Sequence, residues 1–219
     1  MIRGIVFDFD GTILDTESTT YQAWVEIYKR YNCSLPLKQW MQIVGTTENY
    51  FDPITYLEEK ARVKLDRQAI LSEQAQRDRA LLMEMDVLPG VVDYLNDAKN
   101  LGLKLGIASS SDSNWVVGHL KERNLFSYFD TIVTKEQVIR TKPYPYLFEK
   151  AVTNLGLFPY QVLAIEDSAL GITAAKAASI FTIAIPNQLT KNSHLGHADM
   201  ILPSLADLPL KELLDQISE

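Results

Sequence analysis

Asp8 and Asp10 stand two residues apart in FDFDGT, immediately after the apolar run 2–7, and Glu166 and Asp167 close the run 162–165 in the same way. A third run, 103–108, ends in Ser109, Ser110, Ser111 and Asp112, and a fourth, 131–134, leads through a loop to Lys142 in TKPYP. In an open α/β sheet ligands bind beyond the carboxyl ends of the strands, so these residues are candidates to converge on one site. Carboxylates at close quarters repel and raise one another's pKa unless a cation neutralises them, and an oxygen-only donor set suits Mg²⁺. Magnesium held by few protein oxygens keeps positions for water and a substrate phosphate. Ser109, Ser110 and Lys142 offer the hydrogen bonds and charge that phosphate oxygens require. The serine run also precedes a helical pattern, whose first N–H groups could cradle an anion. The chemistry such a set would perform is phosphoryl transfer.

The elements that position these residues are legible in the periodicity. Short apolar runs at 2–7, 103–108, 131–134, 162–165 and 181–185 are separated by longer helical patterns, the βαβα signature of a parallel sheet. Their near-continuous apolarity predicts strands covered by helices on both faces. Of the 10 glycines only Gly45 falls between Thr16 and Leu88. That stretch shows helical spacing in Tyr21, Trp24, Val25 and Tyr28, and in Ile70, Leu71, Gln74, Ala75, Leu81 and Leu82, with Pro36 and Pro53 as breaks. The expected architecture is α/β, a doubly wound parallel sheet of residues 1–15 and 89–219 with an inserted α-helical cap of residues 16–88. Residues 205–217 read as an amphipathic helix closing the core.

Composition narrows the function. The 219 residues are 47% hydrophobic and 22% charged, as in ordinary globular chains. A net charge of −7 argues against a broad grip on nucleic acid or anionic lipid, so an anionic ligand must be held locally. No apolar run reaches the roughly 20 residues that span a bilayer, and the start MIRGIVFDFDG lacks the pattern of a secretory signal. The expectation is a cytoplasmic protein without nucleic-acid or membrane partners, a monomer or weak homodimer. Cys33, the single cysteine, reads as a small packed hydrophobe. His194 and His197 lack a further metal ligand, Tyr144 and Tyr146 read as core or rim, and Trp115 fits an apolar helix face.

DFDGT after an apolar run, the Ser109 strand end, Lys142 in TKPYP, and IEDSALGITAA together resemble the four motifs of the haloacid dehalogenase superfamily. The resemblance spans residues 2–185, and the insert after DGTILDTE is similar to the helical cap of the β-phosphoglucomutase-like and phosphoglycolate-phosphatase-like subgroup. It implies that Asp8 is a nucleophile forming an aspartyl phosphate and Asp10 the general acid and base. It also implies that Asp8, the Asp10 carbonyl, Asp167 and, directly or at one remove, Glu166 hold Mg²⁺. Ser109 and Lys142 would bind the transferring phosphoryl group, with Gly11 and Thr12 supporting and Thr12 orienting Asp10. The superfamily's dehalogenases lack the second aspartate, so Asp10 points to phosphate chemistry.

The resemblance further implies that the cap opens and closes about linkers near Asp15, Thr16 and Leu88 and selects the substrate through Thr16, Thr20, Trp24, Gly45, Thr47 and Glu48. The sequence departs from the mutases of the subgroup by carrying Thr20 for a histidine, Glu48 for a phosphate-gripping arginine and Asp112 for a lysine. These departures favour a Mg²⁺-dependent phosphatase acting on a sugar phosphate, phosphoglycolate or nucleoside monophosphate. A hexose-phosphate mutase is the alternative. A phosphoryl-accepting signalling receiver gathers similar residues, but it is usually about 120 residues long, without a large helical insert. If Glu48 repels a second phosphate, Glu48→Arg should lower KM for bisphosphorylated or phosphate-terminated ligands. Unchanged KM values in a steady-state comparison would count against that placement.

Overall fold

A computed structural model describes residues 1–43 and 51–217. Strand β1 (Gly4–Phe7) is followed by four helices, α1 (Thr16–Arg30), α2 (Leu37–Trp40), α3 (Pro53–Ala61) and α4 (Arg67–Met83). The chain then runs through α5 (Val91–Asn100), β2 (Lys104–Ala108), α6 (Ser113–Glu122), β3 (Thr131–Val133), α7 (Tyr146–Leu155), β4 (Val162–Glu166), α8 (Ala169–Ala177), β5 (Phe181–Ala184), β6 (Met200–Ile201) and α9 (Leu210–Gln216). It divides into two compact units, Met1–Leu14 with Val87–Glu219, and Asp15–Asp86.

The first unit is built on a six-stranded parallel sheet of order β3-β2-β1-β4-β5-β6. Progression runs outward from β1 on one side and from β4 on the other, so the strand order reverses between them, where a doubly wound sheet leaves its binding crevice. Phe7 pairs with Ile107 on one side and Ile165 on the other, which brings the ends of three central strands to one level. All four residues of β1 and all five of β4 are buried, as a sheet covered on both faces requires. Val6, Ala108 and Ala164 pack against Leu147, Phe148 and Ala151 of α7 and Ala174 and Ala175 of α8. Small residues on the sheet and on α8 let helix and strand backbones approach closely.

The second unit is helical. Asp15 caps α1 by accepting from Ser18 N at 3.2 Å, and Asp52 caps α3 by accepting from Ile54 N at 2.9 Å, with Pro53 in the first helical position. Helices α1 and α4 pair through Ile27, Ile70 and Leu82 and through two ion pairs, Glu26 with Arg77 at 2.6 Å and Arg30 with Glu73 at 2.5 Å. The buried row of α4 differs from the periodicity reading: Leu71 and Ala75 are exposed, and the inward residues are Ile70, Asp78 and Leu82. An acid therefore occupies an interior position that a search for apolar residues passes over.

Two features of the first unit also differ from expectation. The two-residue strand β6 is too short to carry a periodic signal, and it adds to β5 through Ile183 and Ala184. The segment 205–217 is not one helix: a 3₁₀ turn covers Leu205–Asp207 and α9 begins only after Pro209, which lacks the N–H needed to continue a preceding helix. Where the chain leaves and re-enters this unit, Leu88 N donates to Ile13 O at 2.9 Å, which ties the two passing segments together. No helix among the described residues is long and apolar enough to cross a membrane.

Two helical glycines separate propensity from packing. A Cβ at Gly118 in α6 would meet nothing within 4 Å, whereas one at Gly171 in α8 would lie 1.9 Å from Glu166 Oε1. Gly118→Ala should stabilise by about 0.5–1 kcal/mol through helix propensity. Gly171→Ala should instead cost about 1–3 kcal/mol through overpacking. Urea denaturation of both variants checks the signs, and a Gly171→Ala protein more stable than wild type would refute the packing account.

Candidate active site

The turn after β1 is a tight hook. Asp8 N extends the ladder to Ile165 O at 2.9 Å, Ile13 N returns to Phe9 O at 3.0 Å, and Gly11 N donates to Leu14 O at 2.7 Å. Gly11 has φ +85°, and a Cβ there would lie 2.4 Å from Asp167 Oδ2 and 2.7 Å from Asn187 Nδ2. Both the conformation and the space require glycine at this position.

Lys142, delivered by the segment between β3 and α7, places its ammonium between Asp8 and Glu166; Nζ donates to Asp8 Oδ1 and lies 2.6 Å from Glu166 Oε1. All three side chains are buried. The other Glu166 oxygen, Oε2, accepts from Asp167 N at 3.1 Å, Ser168 N at 3.2 Å and Ser168 Oγ at 3.1 Å, while Ser168 caps α8 through Gly171 N at 3.0 Å. Glu166 is thus held by the start of α8 and by Lys142.

Asp8, Glu166 and Asp167 bring carboxylate oxygens within 4.8 Å of one another, all of them buried. Lys142 pairs with two of these acids, and a buried charge is costly unless it is compensated. Burial raises the Asp8 carboxyl above the usual carboxylate range, to about 8, against the opposing pull of Lys142, and Glu166 and Asp10 push the same way as burial. For Lys142, burial alone would lower the pKa, yet Asp8 and Glu166 on either side hold it above the usual lysine range. The donor set is oxygen-only and anionic, the ligation that a hard divalent cation takes, so the residues present fit Mg²⁺.

Asp10 lies on the β2 side of this cluster. Its Oδ2 accepts from Ser111 Oγ at 2.5 Å and Ser109 Oγ at 3.3 Å, and its Oδ1 from the Trp115 indole Nε1 at 2.8 Å. The Thr12 hydroxyl makes no hydrogen bond to Asp10, and both Thr12 Oγ1 and Ser110 Oγ are buried without a hydrogen-bond partner among the described residues. The serines that meet Asp10 are one residue apart from Ser110 on either side, because alternate side chains of an extended segment face the same way. Ser111 stands in the same serine run at the end of β2.

Asn187, after β5, also belongs to the site. Its Nδ2 donates to Asp167 Oδ2 at 2.7 Å and reaches Gly11 O at 3.4 Å, while its Oδ1 accepts from Leu189 N at 2.9 Å and Thr190 N at 3.0 Å. The rule that pointed to the other strand ends applies equally to this one. Trp115 had a different signal: three residues beyond Asp112, which caps α6 by accepting from Trp115 N at 2.9 Å, it occupies the first turn of the helix that starts at this sheet end.

The residues expected to choose the substrate belong to the helical unit. Thr20 donates to Asp78 Oδ2 at 2.8 Å, Thr16 accepts from Thr19 Oγ1 through its carbonyl at 2.8 Å, and Trp24 is buried. Gly45, Thr47 and Glu48 lie outside the described residues.

The architecture and this site can now be set beside known proteins. The family model of haloacid dehalogenase-like hydrolases matches residues 5–185, and the chain belongs to that family. Among its relatives is a Bacillus subtilis (strain 168) protein with the provisional name phosphatase YhcW, 41% identical over 100% of this chain and 99% of its own length. The phosphorylated carbohydrates phosphatase of Thermotoga maritima is 29% identical over 82% of each chain. The crystal structure of CbbY from Rhodobacter sphaeroides in complex with phosphate superposes with a TM-score of 0.75 at 27% identity, covering 97% of this chain and 99% of that one.

The charge arrangement yields a direct test. Lys142→Met would leave Asp8 and Glu166 buried without their shared cation and should destabilise the metal-free protein by about 3–5 kcal/mol. Urea denaturation in chelator measures this, and a loss below about 1 kcal/mol would show that the ammonium is not what holds the cluster.

Proposed function

We propose that this hydrolase is a Mg²⁺-dependent phosphatase that cleaves a small phosphorylated metabolite of the sugar-phosphate type through an aspartyl-phosphate intermediate. The observation that carries the reading is the pairing of two unlike carboxylates at the end of β1. Asp8 is buried against an ammonium in an acidic cluster, and Asp10, two residues on, is held by hydroxyl and indole donors. One environment suits a nucleophile facing an anion, and the other an acid and base that exchanges protons with the leaving group.

In this reading an Asp8 oxygen forms a bond to phosphorus as the bond from phosphorus to the leaving oxygen breaks, and Asp10 delivers a proton to that oxygen. Water then attacks phosphorus, Asp10 takes its proton, and the bond between Asp8 and phosphorus breaks to release inorganic phosphate. Lys142 and Ser109 bind the phosphoryl oxygens, and Lys142 compensates charge on Asp8 throughout. Asp8, the Asp10 carbonyl and Asp167 would hold Mg²⁺, with Glu166 in or beside the set. Bound there, the cation supplies neutralisation of the acidic cluster and of the phosphoryl charge. Asn187 fixes the orientation of Asp167. The Thermotoga maritima relative named for phosphorylated carbohydrates favours a sugar phosphate over phosphoglycolate or a nucleoside monophosphate as the substrate.

Phosphate release from a panel of phosphorylated metabolites and one aryl phosphate, with Mg²⁺ and with chelator, tests the proposal. Turnover should require the metal and fall by at least about 10³-fold in Asp8→Asn. Metal-independent turnover, or an Asp8→Asn enzyme as active as wild type, would overturn it. Conversion of a hexose phosphate to its isomer without phosphate release would identify a mutase instead.

A further inference from the structure

Trp115 is neither a phosphate ligand nor a metal ligand, yet its indole N–H points at a carboxylate oxygen of Asp10, 2.8 Å away. An indole nitrogen can only donate, so the direction of this bond is fixed, unlike that of a hydroxyl, which can rotate to another acceptor. The ring is held from several sides. Its backbone N–H is tied to the α6 cap Asp112 at 2.9 Å, and His119 meets the indole edge to face, with centroids 4.4 Å apart at 83°. His119 in turn stacks against Phe9 at 6.3 Å, and its Nδ1 lies 3.2 Å from Glu122 Oε2 and 3.3 Å from Arg123 Nη1. Phe9 is the residue between Asp8 and Asp10, so the indole is braced against the same hook that carries the carboxylate it holds.

Asp10 is only half-buried, and an aspartate at the rim of a crevice has several solvated rotamers open to it. A group that must reach a leaving oxygen within about 2.6–3.2 Å gains from being confined to one of them. The two serines meet Oδ2 and the indole meets Oδ1, so the two oxygens are held from different sides.

We propose that Trp115 is a positioning residue for Asp10: its indole N–H holds Oδ1 so that the carboxyl group stays in the orientation from which it protonates the leaving oxygen. This rests on the acid–base reading of Asp10. Its consequence is a dependence on leaving group, because an alkoxide needs that proton and a dinitrophenolate does not.

The test uses the Mg²⁺-loaded full chain and Trp115→Phe, which keeps an aromatic ring against His119 and removes the N–H. The value of kcat/KM, which reports the step that expels the leaving group, should fall by about tenfold to a hundredfold for a sugar phosphate. For 2,4-dinitrophenyl phosphate it should change by less than about threefold, because that leaving group needs no acid. Equal losses on both substrates, no loss on either, or a gain on the sugar phosphate would overturn the proposal.

Asp10→Ala, assayed alongside, separates the two inferences. If it retains wild-type kcat/KM on the sugar phosphate, the acid role of Asp10 fails. If it is inactive while Trp115→Phe is unaffected, only the positioning role fails. Should Trp115→Phe not fold, the indole ¹H–¹⁵N resonances of the wild type and Asp10→Ala decide the matter. One of the three tryptophan signals should shift strongly when Asp10 is removed, and three unmoved signals would refute the contact.

Discussion

One buried ammonium organises the catalytic unit. Lys142 joins the carboxylate that follows β1 to the carboxylate that ends β4, so two adjacent strands are cross-linked at their carboxyl ends by charge. Asp167 adds a third buried acid beside this pair. Carboxylate oxygens gathered in a low-dielectric setting are a donor set suited to a hard divalent cation.

The parallel register gives this interaction its geometry. Phe7, Ile107 and Ile165 stand side by side, so Asp8, Ala108 with Ser109 beyond it, and Glu166 arrive at the crevice at nearly the same height. Close packing then locks the acids in place. Glycine at position 11 lets Asp167 and Asn187 reach the hook after β1, and glycine at 171 leaves room for the Glu166 carboxylate under the first turn of α8. Two glycines far apart in sequence therefore serve the same end, the admission of a carboxylate against backbone.

The two aspartates of the hook differ because of what surrounds them. Asp8 faces the buried cluster and an ammonium, while Asp10 faces the serine run and the indole of Trp115 at the start of α6. Two chemically identical residues separated by one phenylalanine therefore meet different surroundings on opposite sides of the same turn. That Phe9 also supports His119, which braces Trp115, makes the hook and the first turns of α6 a single packed element.

Much of this was determined by the sequence. Strand ends followed by acids, hydroxyls and a lysine set both the fold class and the candidate site, because apolar runs of strand length and polar residues at their ends are local patterns. The helical insert was likewise readable from its lack of glycine and its spacing. Tertiary structure decided the rest. That Ser111 and the indole of Trp115 meet Asp10, and that Thr12 does not, depends on where a side chain points after strands and helices have packed. The same holds for α4, where burial of Asp78 and exposure of Leu71 follow the position of α1 and not the apolar count. Local patterns specify which elements form, whereas the direction of a side chain at an element's end is set by neighbours distant in sequence, and no periodicity encodes it.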